Sequence, residues 1–165
     1  MRNLMLMRHG KSDWDAGAAD DHSRPLNARG KRSADRMGVV VRELGLVPDL
    51  VVSSTAARAR ATAELARVSG GWASRLVLED DLYGASVQET LAVAGRHGGD
   101  SSRLMLVGHQ PTWSMTVRHL TGARAEMRTA TIADIELHVD SWQAIEGAAG
   151  AIAALLQPRH FLFSE

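Results

Sequence analysis

Two kinds of segment alternate along the chain. Short apolar runs (Leu4 to Met7, Leu50 to Ser53, Leu76 to Leu78 and Leu104 to Val107) are too brief for helices and fit strands covered on both faces of a parallel sheet. Between them apolar residues recur every third or fourth position, the period of an amphipathic helix. Ala34, Met37, Val41 and Leu44 outline a first helix that Gly45 ends; Ala61, Leu65 and Val68 outline a second, stopped by Gly70 and Gly71. Val87, Leu91 and Ala94 give a third, and Trp113, Val117 and Leu120 a fourth that stops at Gly122. The punctuation agrees: Asn27 is an N-cap after Pro25, Ser53, Ser54 and Thr55 offer hydroxyl caps, Ser86 and Glu89 form a capping box, and Pro111 suits a first turn. From Ala123 the rhythm changes. Thr131 to Val139 alternates apolar and polar, which predicts a strand exposed on one side, antiparallel and near the sheet edge; Ala151 to Leu156 fits either a helix or a last strand.

Composition narrows the class. A chain of 165 residues without repeats or linkers reads as one domain over 1–165, large enough to fold around its own core. Without cysteine it has no disulfide, no thiolate nucleophile and no cysteine metal site, and it suits a reducing cytoplasm. The opening apolar run is too short for a signal peptide, and nothing reaches the length of a membrane span. Lys plus Arg (19) equals Asp plus Glu (19), so a nucleic-acid partner is not expected and any attraction for anions is local.

The local chemistry gathers where strands end. The first strand breaks into Arg8, His9 and Gly10; Arg58 and Arg60 open the helix after the second; His109 follows the fourth; and Glu79, Asp80 and Asp81 follow the third. Taken singly, each has a bland meaning: a polar strand end, a solvated arginine, a structural histidine, a surface aspartate. Together they share a direction, because open α/β sheets bind ligands in the crevice beyond the carboxyl ends of their strands. Two arginines at a helix N-terminus oppose the macrodipole, a misfit that a bound anion relieves. Guanidinium groups beside imidazoles, without ligating cysteines or carboxylates, point to a phosphoryl group, with a histidine able to act as nucleophile. Asp13, Asp15, Asp20 and Asp21 sit in a loop that is either simply solvated or a flap over the site.

The segments LMRHGKS, SSTAARARATA and VGHQP resemble the three signature blocks of the histidine phosphatase superfamily, and DHSRPLNARG with DLYGAS resembles its short SixA-like branch of phosphohistidine phosphatases. The resemblance implies a phosphoglycerate mutase-like fold, a three-layer α/β/α sandwich with a largely parallel central sheet and an antiparallel edge strand. It implies a cytoplasmic, metal-independent hydrolase with no cofactor. His9 matches the nucleophile that forms a phosphohistidine intermediate, and Arg8, Arg58 and His109 match the phosphate pocket. Two positions depart from the pattern: Thr55 replaces a usual proline, and Asp80 and Asp81 are the nearest carboxylates to the glutamate acid of larger relatives, with Asp81 favoured. Lys11, Arg24 and Arg60 are candidates for the rim, Lys11 as a substrate-binding group. The implied partner is a protein carrying phosphohistidine, since a P–N bond breaks without a strong acid. A small-molecule phosphomonoesterase of the same superfamily and a non-catalytic phosphate-binding domain are the alternatives.

Overall fold

The computed structural model of the chain describes residues 1–161. Its six strands are β1 (Arg2–Arg8), β2 (Leu50–Ser54), β3 (Arg75–Glu79), β4 (Arg103–Gly108), β5 (Ile132–Leu137) and β6 (Gly150–Leu156). They form one sheet in the order β3-β2-β4-β1-β5-β6. Four helices connect them: α1 (Ala28–Glu43), α2 (Ala57–Gly70), α3 (Val87–His97) and α4 (Thr112–Thr121). β1, β2, β3 and β4 pair in parallel, while β5 runs antiparallel to β1 and to β6. None of the helices among the described residues is long and apolar enough to cross a membrane.

The layers follow from strand periodicity. Successive side chains of a strand point to opposite faces, so Leu4 and Leu6 of β1 join Leu104, Leu106 and Val52 beneath α3 and α4. Met5 and Met7 join Met105, Val107 and Val51 beneath α1 and α2. All four of those β1 side chains are fully buried. Each buried side chain of this size contributes about 1.5–3 kcal/mol by leaving water, so the run before Arg8 is a rigid mount for the loop at its carboxyl end.

Several expected details change. The strand at 132–137 is antiparallel as its alternation suggested, but β6 covers its outer edge, and the 151–156 segment is therefore a strand. β5 is also buried on both faces: Asp134, expected toward solvent, is 2% exposed and satisfied by Asn3 Nδ2 at 3.2 Å and Arg103 at 3.7 Å. On α1, Leu44 lies past the last turn as the C-cap and is exposed. On α2 the buried face is Arg58, Ala59, Thr62, Ala63, Ala66 and Gly70, and Val68 is 74% exposed. The reason is close packing: α1 and α2 meet through small residues, which an apolar stripe built on Leu and Val does not reveal.

That contact is tight enough to test. A methyl at Gly38 of α1 would lie 2.0 Å from the carbonyl oxygen of Ala66 on α2, and Trp72 Nε1 donates to the Gly38 carbonyl at 3.0 Å. Helix propensity alone favours Gly38→Ala by about 1 kcal/mol, whereas overpacking of backbone on backbone costs more. We expect a net loss of about 2 kcal/mol, read from the urea midpoint. A midpoint at or above wild type would mean that the helices separate at little cost.

Candidate active site

The site begins as a matter of register. In the parallel ladder Arg8 pairs with Gly108, Met7 with Val107, and Val107 with Ser53. The strands therefore finish level at one edge, and His9, His109 and the start of α2 emerge side by side. The ladder extends one step further, with the His9 amide donating to the Gly108 carbonyl at 3.0 Å. Two glycines let the loop after β1 sit close to α1: a methyl at Gly10 would meet the Gly30 carbonyl at 2.7 Å, and one at Gly30 would meet that of Lys11 at 2.1 Å. Gly108 serves similarly, since a methyl there would strike the buried Trp113 ring at 2.7 Å. Arg8, His9, Arg58 and His109, drawn from three distant segments, together line one cleft of about 530 Å³.

His9 is nearly buried and its tautomer is fixed. Its Nδ1 lies 2.7 Å from the Gly10 carbonyl, which can only accept, and its Nε2 lies 3.3 Å from Arg58 Nε, which can only donate. The proton is therefore on Nδ1, and Nε2 carries the lone pair. The loop is pinned behind it: the Gly10 amide donates to Thr62 Oγ1 at 2.9 Å, and that hydroxyl donates to the Arg58 carbonyl at 2.7 Å. Burial pushes the His9 pKa down to about 3 against the opposing pull of the Gly10 carbonyl, and the charges of His109, Arg58 and Arg8 add to the depression. The ring is neutral at physiological pH, with its Nε2 lone pair turned to Arg58.

His109 faces it, with ring centroids 5.3 Å apart. Its Nε2 is 2.8 Å from Ser54 Oγ, a hydroxyl that already accepts the Ala56 amide at 3.2 Å. His109 Nδ1 is buried without a partner among the described residues. Burial, then the charge of Arg58, lowers this pKa to about 4. Arg8 donates to the Met127 carbonyl at 3.0 Å, and its Nε is likewise buried and unpaired. The unpaired Arg8 N–H beside a neutral imidazole suits an oxyanion.

One carboxylate reaches into this array, and it is not the expected one. Asp21, from the acidic loop, accepts from Arg58 at 3.0 Å, Arg24 at 2.9 Å and the Tyr83 hydroxyl at 2.6 Å, while its backbone carbonyl takes Arg58 Nη1 at 2.7 Å. The Tyr83 and Arg24 hydrogen bonds, then that of Arg58, hold its carboxyl well below the usual range, and the same bond raises the Tyr83 pKa. Arg24 also donates to Ser12 and stacks 3.6 Å over the exposed Trp14 ring.

Other expected positions fall elsewhere. Asp81 does not line the cleft: its carboxylate is 63% exposed and paired with Arg96 at 2.9 Å, beside Glu79, which takes both Arg96 and His97. Asp80 is exposed and also outside the cleft. Lys11 and Arg24 do line it, whereas Arg60 pairs with Glu64 at 2.8 Å outside. The Thr55 hydroxyl does not cap α2, whose N-cap Ala56 has no side-chain bond; it meets His22 Nε2 at 2.9 Å instead. Sequence reasoning missed Asp21 and Tyr83 as site residues. Their signals were the acidic loop taken as a possible flap and the tyrosine of DLYGAS, the ring of which packs edge-on to both His22 and His109. No group of three or more His, Cys, Asp or Glu side chains among the described residues is arranged to hold a metal.

With this geometry established, comparison with known proteins is direct. The family model described as histidine phosphatase superfamily (branch 1) matches residues 4–89, just over half of the chain. The chain belongs to the histidine phosphatase superfamily. The structure of a candidate phosphohistidine phosphatase SixA from Nakamurella multipartitia superposes with a TM-score of 0.83 at 29% identity, covering 95% of this chain and 96% of the other. A second such protein, from Agrobacterium tumefaciens, gives 0.81 at 25% identity, covering 95% and 98%. An uncharacterized chloroplastic protein of Arabidopsis thaliana is 28% identical over 98% of this chain and 80% of its own length. The fold is thus that of the phosphoglycerate mutase-like histidine phosphatases, as the signature blocks implied.

Two measurements test the electrostatics of this histidine phosphatase site. The unfolded chain takes up protons on these two histidines near pH 6.5, but the native rings accept theirs only near 3 and 4. The unfolded state therefore binds more protons between those limits, and stability falls as pH drops from about 6.5 to about 4. Urea titrations at stepped pH should show this slope, shallower in His9→Ala; an equal slope would place the titration elsewhere. Separately, Asp21→Asn removes a negative charge 3.0 Å from Arg58, so inorganic phosphate should bind several-fold more tightly by calorimetry. Weaker binding would mean that Asp21 chiefly orients the arginine.

Proposed function

We propose that this chain is a phosphatase whose His9 Nε2 takes a phosphoryl group covalently, and that its substrate is phosphohistidine carried on a protein. The observation that carries the reading is a neutral nucleophile in a cationic cup whose one lining carboxylate, Asp21, is held ionised by three donors and has no proton to give. In the first step Nε2 forms a bond to phosphorus in line with the departing nitrogen. The P–N electron pair goes to the leaving imidazole, which takes its proton from solvent. Arg8, Arg58 and His109 stabilise the three equatorial oxygens, the part of phosphoryl transfer that depends on positioned charge. Water then attacks the phosphorus on His9, releasing phosphate and restoring the ring. An alkoxide leaving group needs an acid, and no carboxyl able to hold a proton lines this cleft among the described residues, so ordinary phosphate esters should turn over poorly. The likeness to the SixA proteins of Nakamurella and Agrobacterium supports the same substrate class.

The test is to trap the intermediate. Incubation with a phosphohistidine protein, and in parallel with aryl and sugar phosphates, should label the enzyme from the first donor with acid-labile phosphate that maps to His9 and disappears in His9→Ala. Steady preference for a sugar phosphate would replace this reading with a small-molecule phosphomonoesterase, and absence of any label would leave a phosphate-binding domain. Arg58→Ala should lower turnover by roughly 10²-fold, the scale for one lost transition-state donor; near-normal turnover would remove it from the transition state.

A further inference from the structure

Beside the catalytic cleft lies a second hollow of about 320 Å³ that shares Arg8 and Lys11 with it. Its wall adds Arg29 from α1, Arg128 from the segment before β5, and Gln157 and Arg159 from beyond β6. Five of the chain's 19 basic residues thus converge in a molecule of zero formal net charge. The counter-charge is slight. Arg128 meets Glu126 at 3.2 Å, while Lys11, Arg29 and Arg159 make no ion pair with a described residue. Such a concentration of like charge is costly unless an anion answers it.

A second, independent observation lies in the buried wall. Gln157 is 9% exposed and its Oε1 has no hydrogen-bond partner among the described residues. Arg8, which lines both hollows, carries a buried Nε in the same condition. Buried polar atoms are normally satisfied; Gln157 Oε1 can only accept and so calls for a donor such as a backbone N–H, while the cations around it call for an oxyanion, and a polypeptide with an acidic side chain offers both. Because the hollows share Arg8, an occupant of the second sits within one side-chain length of the phosphoryl group and can belong to the same molecule.

We propose that this hollow is a second oxyanion subsite, taking the carboxylate of an Asp or Glu that neighbours the phosphohistidine on the substrate protein. The inference rests on the protein-substrate reading given above. Guanidinium forks match a carboxylate bidentately, and on a polypeptide the oxyanions available beside a phosphoryl group are acidic side chains. Its role is selection of substrate: the subsite adds binding without touching the reacting atoms, so it acts on KM and not on kcat.

The experiment compares two phosphohistidine peptides of equal length, one with acidic flanks and one with alanine flanks. In the wild type the acidic peptide should show a KM lower by about tenfold, the scale of one charge-assisted contact. In the Arg29→Ala, Arg159→Ala double variant that contrast should shrink to within about twofold at unchanged kcat, and its salt dependence should flatten. Both arginines are exposed, so folding is not at stake; Arg75→Ala, loss of an exposed positive charge outside both hollows, serves as the control and should keep the contrast. Equal KM values in the wild type, or a contrast that survives the double variant, would overturn the subsite. So would loss of contrast in Arg75→Ala, or a preference confined to small phosphocarboxylates. A calorimetric titration of His9→Ala with acidic and neutral phosphoserine peptides needs no turnover. A binding contrast there, without turnover of any phosphohistidine peptide, would uphold the subsite and refute the phosphohistidine reading.

Discussion

Parallel pairing without slippage along β2, β4 and β1 ends all three strands at one edge, and each leaves behind a residue that chemistry can use. Arg8 opposite Gly108 and Val107 opposite Ser53 fix that alignment. Shifting one strand by a residue would turn its buried side chains to the wrong layer. In β1 such a shift would move two leucines from the α3 and α4 side to the α1 and α2 side and two methionines the other way. The precision of the site is thus set by the core, where every one of these side chains is inaccessible to water. The glycines then set how closely the loop after β1 approaches α1, which in turn places His9 against Arg58 of α2.

Convergence has an electrostatic cost that the structure answers in a particular way. Two guanidinium groups and two imidazoles share a partly dry cleft, and a pair of unit charges 4 Å apart is worth about 4 kcal/mol at an effective dielectric near 20. The imidazoles respond by staying neutral, with burial as the larger cause in each. The guanidinium groups cannot, and Asp21 supplies the missing charge, joining Arg58, Arg24 and Tyr83 through one carboxylate. A phosphoryl group approaching His9 meets cations already partly neutralised.

Much of this architecture is legible in the sequence. The four helices, the parallel strands, the Asn27 cap, the Ser86 and Glu89 box and the four pocket residues all rest on local chemistry: period, capping geometry, or a cation where a strand breaks. The remainder depends on contacts between distant segments. The small-residue face of α2 is defined by the Gly38 to Ala66 approach, and the buried Asp134 by Asn3 and Arg103. Asp21 and Asp81 carry the same side chain in similarly acidic stretches. Only tertiary placement gives one to Arg58 and the other to Arg96.

That exchange of roles between the two aspartates decides the acid–base character of the cleft. A general acid must hold a proton near its working pH. Asp21 is kept bare by its three donors, and Tyr83, donating its proton to Asp21, is pushed further from releasing it. Asp21 is thus ionised and the Tyr83 hydroxyl is occupied on it, so neither is a proton donor matched to neutral pH. The two expected candidates both lie outside the cleft, Asp81 paired with Arg96 and Asp80 exposed. The cleft is consequently strong in positioned positive charge and, among its described lining residues, poor in carboxyl protons.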